Sequence, residues 1–144
     1  MRHKVFGKKL SRDTKARKAL LRNVANSLVI HNQLTTTLAK AKFAAPYIEK
    51  LVTQAKRNRL SSNRWLASTL SDDAFRKIIQ ELGPGFSNRQ GGYTRVIKLA
   101  PRRGDSAPMA RLEFVEWDKS KTPPQTKPKK KIEAKIKAKG SKVQ

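Results

Sequence analysis

The stretch ALLRNVANSLVIHNQLTTTLAKAK, residues 19–42, decides the fold, because its pattern passes from helical to extended and back to helical within 24 residues. Leu20, Val24 and Leu28, with Leu21 beside them, recur at the spacing that lines one face of a helix. Upstream, Ser11 offers a hydroxyl for an N-cap and Asp13 an acid for the positive end of a helix. A long first helix is therefore expected over about residues 12–32. The LTTTL of residues 34–38 is dense in β-branched side chains, which are stiff at χ1 and favour extended backbone. From about residue 39, Phe43, Tyr47, Leu51 and Val52 outline a second amphipathic helix reaching residue 57. Pro46 lies inside it and has no N–H for the carbonyl four residues back, so a kink or a late helix start is expected.

Working outward, Ser61 or Ser62 is expected to begin a short helix containing Trp65, Leu66 and Leu70. Ser71 with Asp72 and Asp73 begins another, with Phe75, Ile78, Ile79 and Leu82 as its core-facing stripe and Gly83 and Pro84 as its stop. Beyond the Gly-rich residues 83–92 the composition turns to strands. Residues 93–99 and 111–117 are rich in Val, Ile, Phe and other aromatics and form a pair, joined as a hairpin by a long basic loop over residues 101–108. The result is an α+β fold, several helices packed on a small sheet. One domain is expected over residues 1–118, with a basic N-terminal arm at 1–11. Residues 119–144, dominated by Lys, Pro, Thr and Ala, cannot bury enough surface to offset ordering and are expected to be a disordered tail.

Charge narrows the function. Thirty-four Lys and Arg stand against ten acids, a net +24, and the excess sits at the ends. Residues 1–22 hold nine bases and one acid, and residues 119–144 hold ten lysines and one acid. Such a distribution repels itself and calls for a polyanion, either nucleic acid or an anionic membrane surface. There is no cysteine, which removes disulfides, thiolate metal sites and cysteine nucleophiles. No apolar run approaches the roughly 20 residues of a membrane span, nor supplies the core of a secretory signal, so no membrane association is expected and the chain is expected to stay in the cytoplasm.

Enzyme readings find little support. Two histidines stand far apart, no Walker or Rossmann glycine pattern is present, and GPG at residues 83–85 lacks the Lys and Ser or Thr of a phosphate-cradling loop. Asp72 and Asp73 are explained by the first turn of a helix. No cofactor, metal or small-molecule substrate is expected.

MRHKVFGKKLSR at the start, ALLRNVANSLVIHNQLTTTLAKAK, ELGPGFSNRQGGYTR at 81–95 and GDSAPMARLE at 104–113, in that order, resemble the bacterial and organellar large-subunit ribosomal protein family numbered seventeen. The likeness runs over most of residues 1–117, and the GGYTR string, with ELGP upstream and the GD and AP pairs downstream, is its most specific part. The resemblance implies a structural component that binds large-subunit ribosomal RNA beside neighbouring ribosomal proteins, near the outer opening of the peptide exit tunnel. The absence of an evident transit peptide favours a bacterial over an organellar ribosome. Where many relatives have proline early in the second helix this chain has Ala39, and it carries Pro46 later. The lysine-rich tail lies outside the family core.

The residues themselves suit such a partner. Arg2, His3, Lys4, Lys8 and Lys9, interspersed with Val5, Phe6, Gly7 and Leu10, cannot form a stable apolar face and read as an arm laid against RNA phosphates and 2′-hydroxyls, or else as a solvated basic tail. His3 is either a stacking group or a bystander, and His31 is best placed to satisfy carbonyls at a helix end. Arg12, Lys15, Lys18 and Arg22 fall on one arc of the first helix, opposite its leucines; Arg17 projects toward the apolar side. Lys40 and Lys42 add cations at the start of the second helix. Gly91 and Gly92 allow close backbone approach to phosphate, with Tyr93 and Arg95 to stack or fork onto RNA, or else they form a tight loop that delivers Tyr93 to the core. Arg89, Arg102 and Arg103, as loop arginines, suit paired phosphate oxygens. A DNA-compacting protein is the alternative, since the tail would suit duplex DNA through counterion release alone.

Overall fold

Asp13, not Ser11, caps the first helix. In a computed structural model that describes residues 8–118 and residue 120, Leu10 and Ser11 have positive φ, 53° and 51°, outside the extended conformation of an N-cap. Asp13 is extended, and its carboxylate accepts the Ala16 N–H at 2.7 Å. Helix α1 (Thr14–His31) follows, burying Val24, Ala25, Leu28 and Val29. It closes on Asn32, which takes the left-handed conformation at φ 64° and bonds the Leu28 carbonyl at 2.7 Å. Lys77 Nζ donates to the Ile30 carbonyl at 2.9 Å, so Asn32 and Lys77 fill the end-capping place anticipated for His31. The arm residues Arg2, His3 and Lys4, and the tail expected over residues 119–144 apart from Ser120, lie outside the described residues.

The extended segment is strand β1 (Gln33–Thr37). Helix α2 (Leu38–Arg57) starts immediately after it and runs through Pro46, so the late start does not occur. Its buried stripe, Ala41, Ala44, Ile48, Leu51, Val52 and Ala55, explains why. Burying each large aliphatic side chain contributes about 1.5–3 kcal/mol, enough together to exceed the roughly 3 kcal/mol cost of an internal proline. Asn58 then turns left-handed at φ 44°, and α3 (Leu60–Thr69) begins one or two residues earlier than the serines suggested. Ser62 is not a cap. It is buried and donates to Gln54 Oε1 at 2.9 Å, tying α3 to α2.

The stop at Gly83 and Pro84 is also corrected. Helix α4 (Asp72–Lys77) passes into a π-helical turn, Ile78–Leu82, and then a short turn α5 (Gly83–Gly85), ending at Phe86. The Gly83 N–H reaches back five residues to the Ile78 carbonyl, and Pro84 then sits at the beginning of the next turn, where its missing N–H is not required. These glycines serve packing rather than termination. A Cβ on Gly83 would lie 3.2 Å from the Ala55 carbonyl oxygen, and one on Gly85 would collide with the Trp117 ring.

Strands β2 (Thr94–Leu99) and β3 (Met109–Phe114) pair antiparallel as expected, and β1 adds to the free side of β3 to give the order β1-β3-β2. The last strand lies two to three residues earlier than residues 111–117. Beyond Phe114 the Val115 N–H bonds the Tyr93 carbonyl at 2.9 Å, and Trp117 turns in to pack on Phe86 with ring centres 5.7 Å apart. Leu34, Leu112 and Val96 stand in register across the three strands on the face that meets the helices. The opposite face carries Thr35, Arg111 and Ile97 in the next row.

Candidate nucleic-acid interface

The first-helix arc survives in part. Lys15, Lys18 and Arg22 are exposed on α1 while Arg17 is half-buried. Their positions span about a sixth of a turn, at about 100° per residue. Arg12 is exposed too but lies before the helix, its guanidinium donating to the Leu10 carbonyl at 2.9 Å. Lys8 and Lys9 stand exposed beside it. Arg22 extends this surface to α2, since its charge acts on the Tyr47 hydroxyl. Burial raises the Tyr47 pKa and the nearby guanidinium partly offsets that rise.

Helix α2 organises the other cations. The Leu38 N–H bonds the Pro108 carbonyl at 2.9 Å, which fixes the base of the β2–β3 loop at the start of α2, beside the turn that carries Lys40 and Lys42. Arg102 and Arg103, both exposed, sit on that loop. Lys40 and Lys42 lie about 200° apart around the helix, with Lys40 half-buried and Lys42 exposed, so they do not share a face. Arg102 is held by Asp105 through two bonds, Nη2 to Oδ2 at 2.6 Å and Nε to Oδ1 at 3.1 Å. Those bonds, with a further one from the Ala107 N–H, lower the Asp105 pKa to about 2. A phosphate binding at Arg102 must therefore share or displace Asp105. Arg103 is the next cation on the loop.

At the far end of α2, Lys56 reaches across to the loop before β2. Its ammonium donates to the Arg89 carbonyl, lies 3.3 Å from the Tyr93 hydroxyl and stands 5.4 Å from that ring's centre. Arg89 is exposed and its Nε donates to the Gly91 carbonyl at 3.1 Å. Gly92 supplies the left-handed φ of 61° that turns the chain into the strand. Tyr93 offers no free face for stacking in this fold. It is 2 % exposed, packed 5.1 Å centre to centre against Phe86. Of the two readings of GGYTR, the structure takes the loop that delivers Tyr93 to the core. Arg95 remains on the surface, its side chain 60 % exposed and 3.9 Å from Glu113 on the outer sheet face.

A 20-residue helix measures about 30 Å at 1.5 Å per residue, so α2 separates two basic groups, Arg102 and Arg103 with Lys42 at one end and Arg89 with Lys56 at the other. The second group is larger than the motifs alone suggest. Arg57, Arg59 and Arg64 are exposed there, and the run of four cations and no acid over residues 56–70 is the signal for them. Arg111, exposed on the open sheet face, is a further cation that strand alternation alone would have placed there.

Asp72 and Asp73 occupy the first turn of α4, as expected. Among the described residues no three His, Asp or Glu side chains gather where a metal could be held, and no described helix is long and apolar enough to cross a membrane.

Fold and surface define a small, strongly basic α+β protein with exposed cations on several sides of an apolar core. The sequence model of the family described as Ribosomal protein L17 matches residues 20–115. The chain is 50 % identical over 119 residues to the large ribosomal subunit protein bL17 of Rickettsia bellii, covering 82 % of this chain and 84 % of the relative. It is 49 % identical to the bL17 of Sphingopyxis alaskensis, over 82 % of this chain and 86 % of that one, and 45 % identical to the bL17 of Orientia tsutsugamushi, over 81 % of each. The chain belongs to the ribosomal protein L17 family, whose members are structural components of the ribosome and not enzymes.

Proposed function

We propose that this chain is a structural constituent of the bacterial large ribosomal subunit, in the cytoplasm, and that it binds and stabilises folded large-subunit ribosomal RNA beside neighbouring ribosomal proteins. The observation that carries the reading is the family match over residues 20–115. The placement of cations supports it: the α1 face, the two loops and the ends of α2 offer positive charge on several sides of an apolar core, suited to a folded polyanion rather than a single groove. The location proposed for it, from the family resemblance, is near the opening of the peptide exit tunnel. Lys15, Lys18, Arg22, Arg89, Arg95, Arg102 and Arg103 are the folded-body contacts, with Lys8, Lys9 and Arg12 continuing from the arm.

The test is sedimentation combined with crosslinking. The full-length chain co-sediments with the large subunit at moderate salt and leaves it only under stripping conditions, and its crosslinks fall on large-subunit ribosomal RNA around the tunnel opening. Recovery on chromosomal DNA without enrichment of ribosomal RNA would instead favour a DNA compactor.

A further inference from the structure

Helix α3 exposes two large apolar side chains, Trp65 at 43 % and Leu60 at 69 %, although the core needs neither. Its inner side is already occupied by Ser62 and Leu66, with Leu70 just beyond its end. At about 100° per residue the outward arc of α3 has Arg64 near its centre, Trp65 on one flank and Leu60 on the other. The two serines on that arc, Ser61 and Ser68, are short, and Ser68 Oγ is turned back to the Trp65 carbonyl at 2.8 Å, so nothing bulky stands between the indole and Arg64. Arg57 and Arg59 are exposed immediately before the helix, and no acid occurs from residue 56 to residue 70.

We infer that Trp65 is a stacking platform for an unpaired RNA base whose flanking phosphates are taken by Arg57, Arg59 and Arg64. It rests on the reading of the chain as RNA-binding and adds to it a site of different chemistry. Lys15 and Lys18 on α1 offer point charges, whereas an indole offers a flat π-face to any base and a guanidinium pairs with two phosphate oxygens in a fixed plane. An indole left half exposed on a stretch that carries three arginines and no acid is mismatched to an apolar protein surface and matched to a nucleotide, which has a ring to stack and an anion beside it. Lys56 joins this patch to the Arg89 loop, so the site continues an existing basic surface.

The chain has two tryptophans, and comparing the full-length protein with its Trp65→Phe form isolates the Trp65 emission without disturbing Trp117. Protein-free large-subunit ribosomal RNA is the probe. The expected result is that saturating RNA quenches the Trp65 emission and shields it from acrylamide. Trp65→Ala weakens RNA binding by about tenfold with its salt slope unchanged, while Trp65→Phe restores most of the affinity. The triple change of Arg57, Arg59 and Arg64 to Ala lowers that slope by about 2–3. An unchanged, acrylamide-accessible Trp65 in chain that is demonstrably bound to the RNA overturns the stacking site and leaves the RNA-binding reading standing. Quenching that appears only when other ribosomal proteins are added overturns it in favour of a protein contact. Failure of the unmodified chain to bind the RNA at all overturns both. Identical thermal unfolding of the Trp65 variants shows that the readout reports contact and not folding.

Discussion

Lys56 sits in a stretch that reads as surface charge, yet its ammonium is committed to the Arg89 carbonyl and the Tyr93 hydroxyl. Lys56→Met keeps the aliphatic stem and removes the donor, which is expected to cost about 1 kcal/mol in urea unfolding, the net scale of one such bond in a half-exposed place. Faster hydrogen exchange at the Arg89 amide, bonded to the Phe86 carbonyl at 3.0 Å, is the local signature; unchanged exchange would show that the loop holds itself. Asp105 is the other residue with a fixed partner. Its pKa lies near 2 against an ordinary 3.8, so the pairing with Arg102 is complete above about pH 4 and is lost as the pH falls through about 2. Carboxyl NMR titration should find that low midpoint, and Arg102→Ala should return it most of the way to 3.8. Neither partnership could be foreseen from sequence. Arg102 and Asp105 are near neighbours whose side chains meet across a loop that turns through Gly104 at φ 100°, and Lys56 is 33 residues from Arg89.

Among the elements, the ones legible in the sequence were those whose apolar spacing agrees with local propensity: α1, α2, the β2–β3 pair and the extended LTTTL. Boundaries failed where tertiary packing overrode a local signal. Pro46 was overridden by the buried stripe of α2, and Gly83 and Gly85 give close approach to Ala55 and Trp117 rather than breaking a helix. Gly85→Ala is therefore expected to destabilise by about 1–3 kcal/mol through overpacking against the indole. Trp117→Leu in the same chain should recover part of that stability, because the smaller side chain leaves room for the new methyl group. If the single change were neutral by urea unfolding, the close approach would not be a constraint. The α1 face belongs to this scale as well. Changing Lys15, Lys18 and Arg22 together to Ala should lower the salt slope of RNA binding by about 2–3, at roughly 0.7–0.9 for each phosphate that is no longer neutralised. Unfolding of that variant should stay close to the unmodified chain, since all three side chains are exposed.

For the molecule as a whole, charge alone left nucleic acid and membrane open, and the ordered motifs named the family. Those motifs did not separate core from surface: Tyr93, inside the most specific string, belongs to the core, whereas Arg57, Arg59 and Arg64, inferred above to take phosphates, lie exposed in a stretch with no motif. Removing residues 120–144, which include nine of the chain's lysines, is expected to reduce the salt slope while leaving assembly into the subunit largely intact, measured by sedimentation of the truncated chain. Loss of incorporation would make the tail a specific element. The position of α2 sets a stricter condition. On the RNA-binding reading proposed above, a helix of about 30 Å with a basic group at each end is expected to work as a calliper, touching RNA at both tips most readily where two stretches of its backbone are already held that far apart. Unfolded RNA meets that spacing only in passing, so a chain of this shape is expected to bind the folded state of an RNA sequence more tightly than its unfolded state, through phosphate spacing alone.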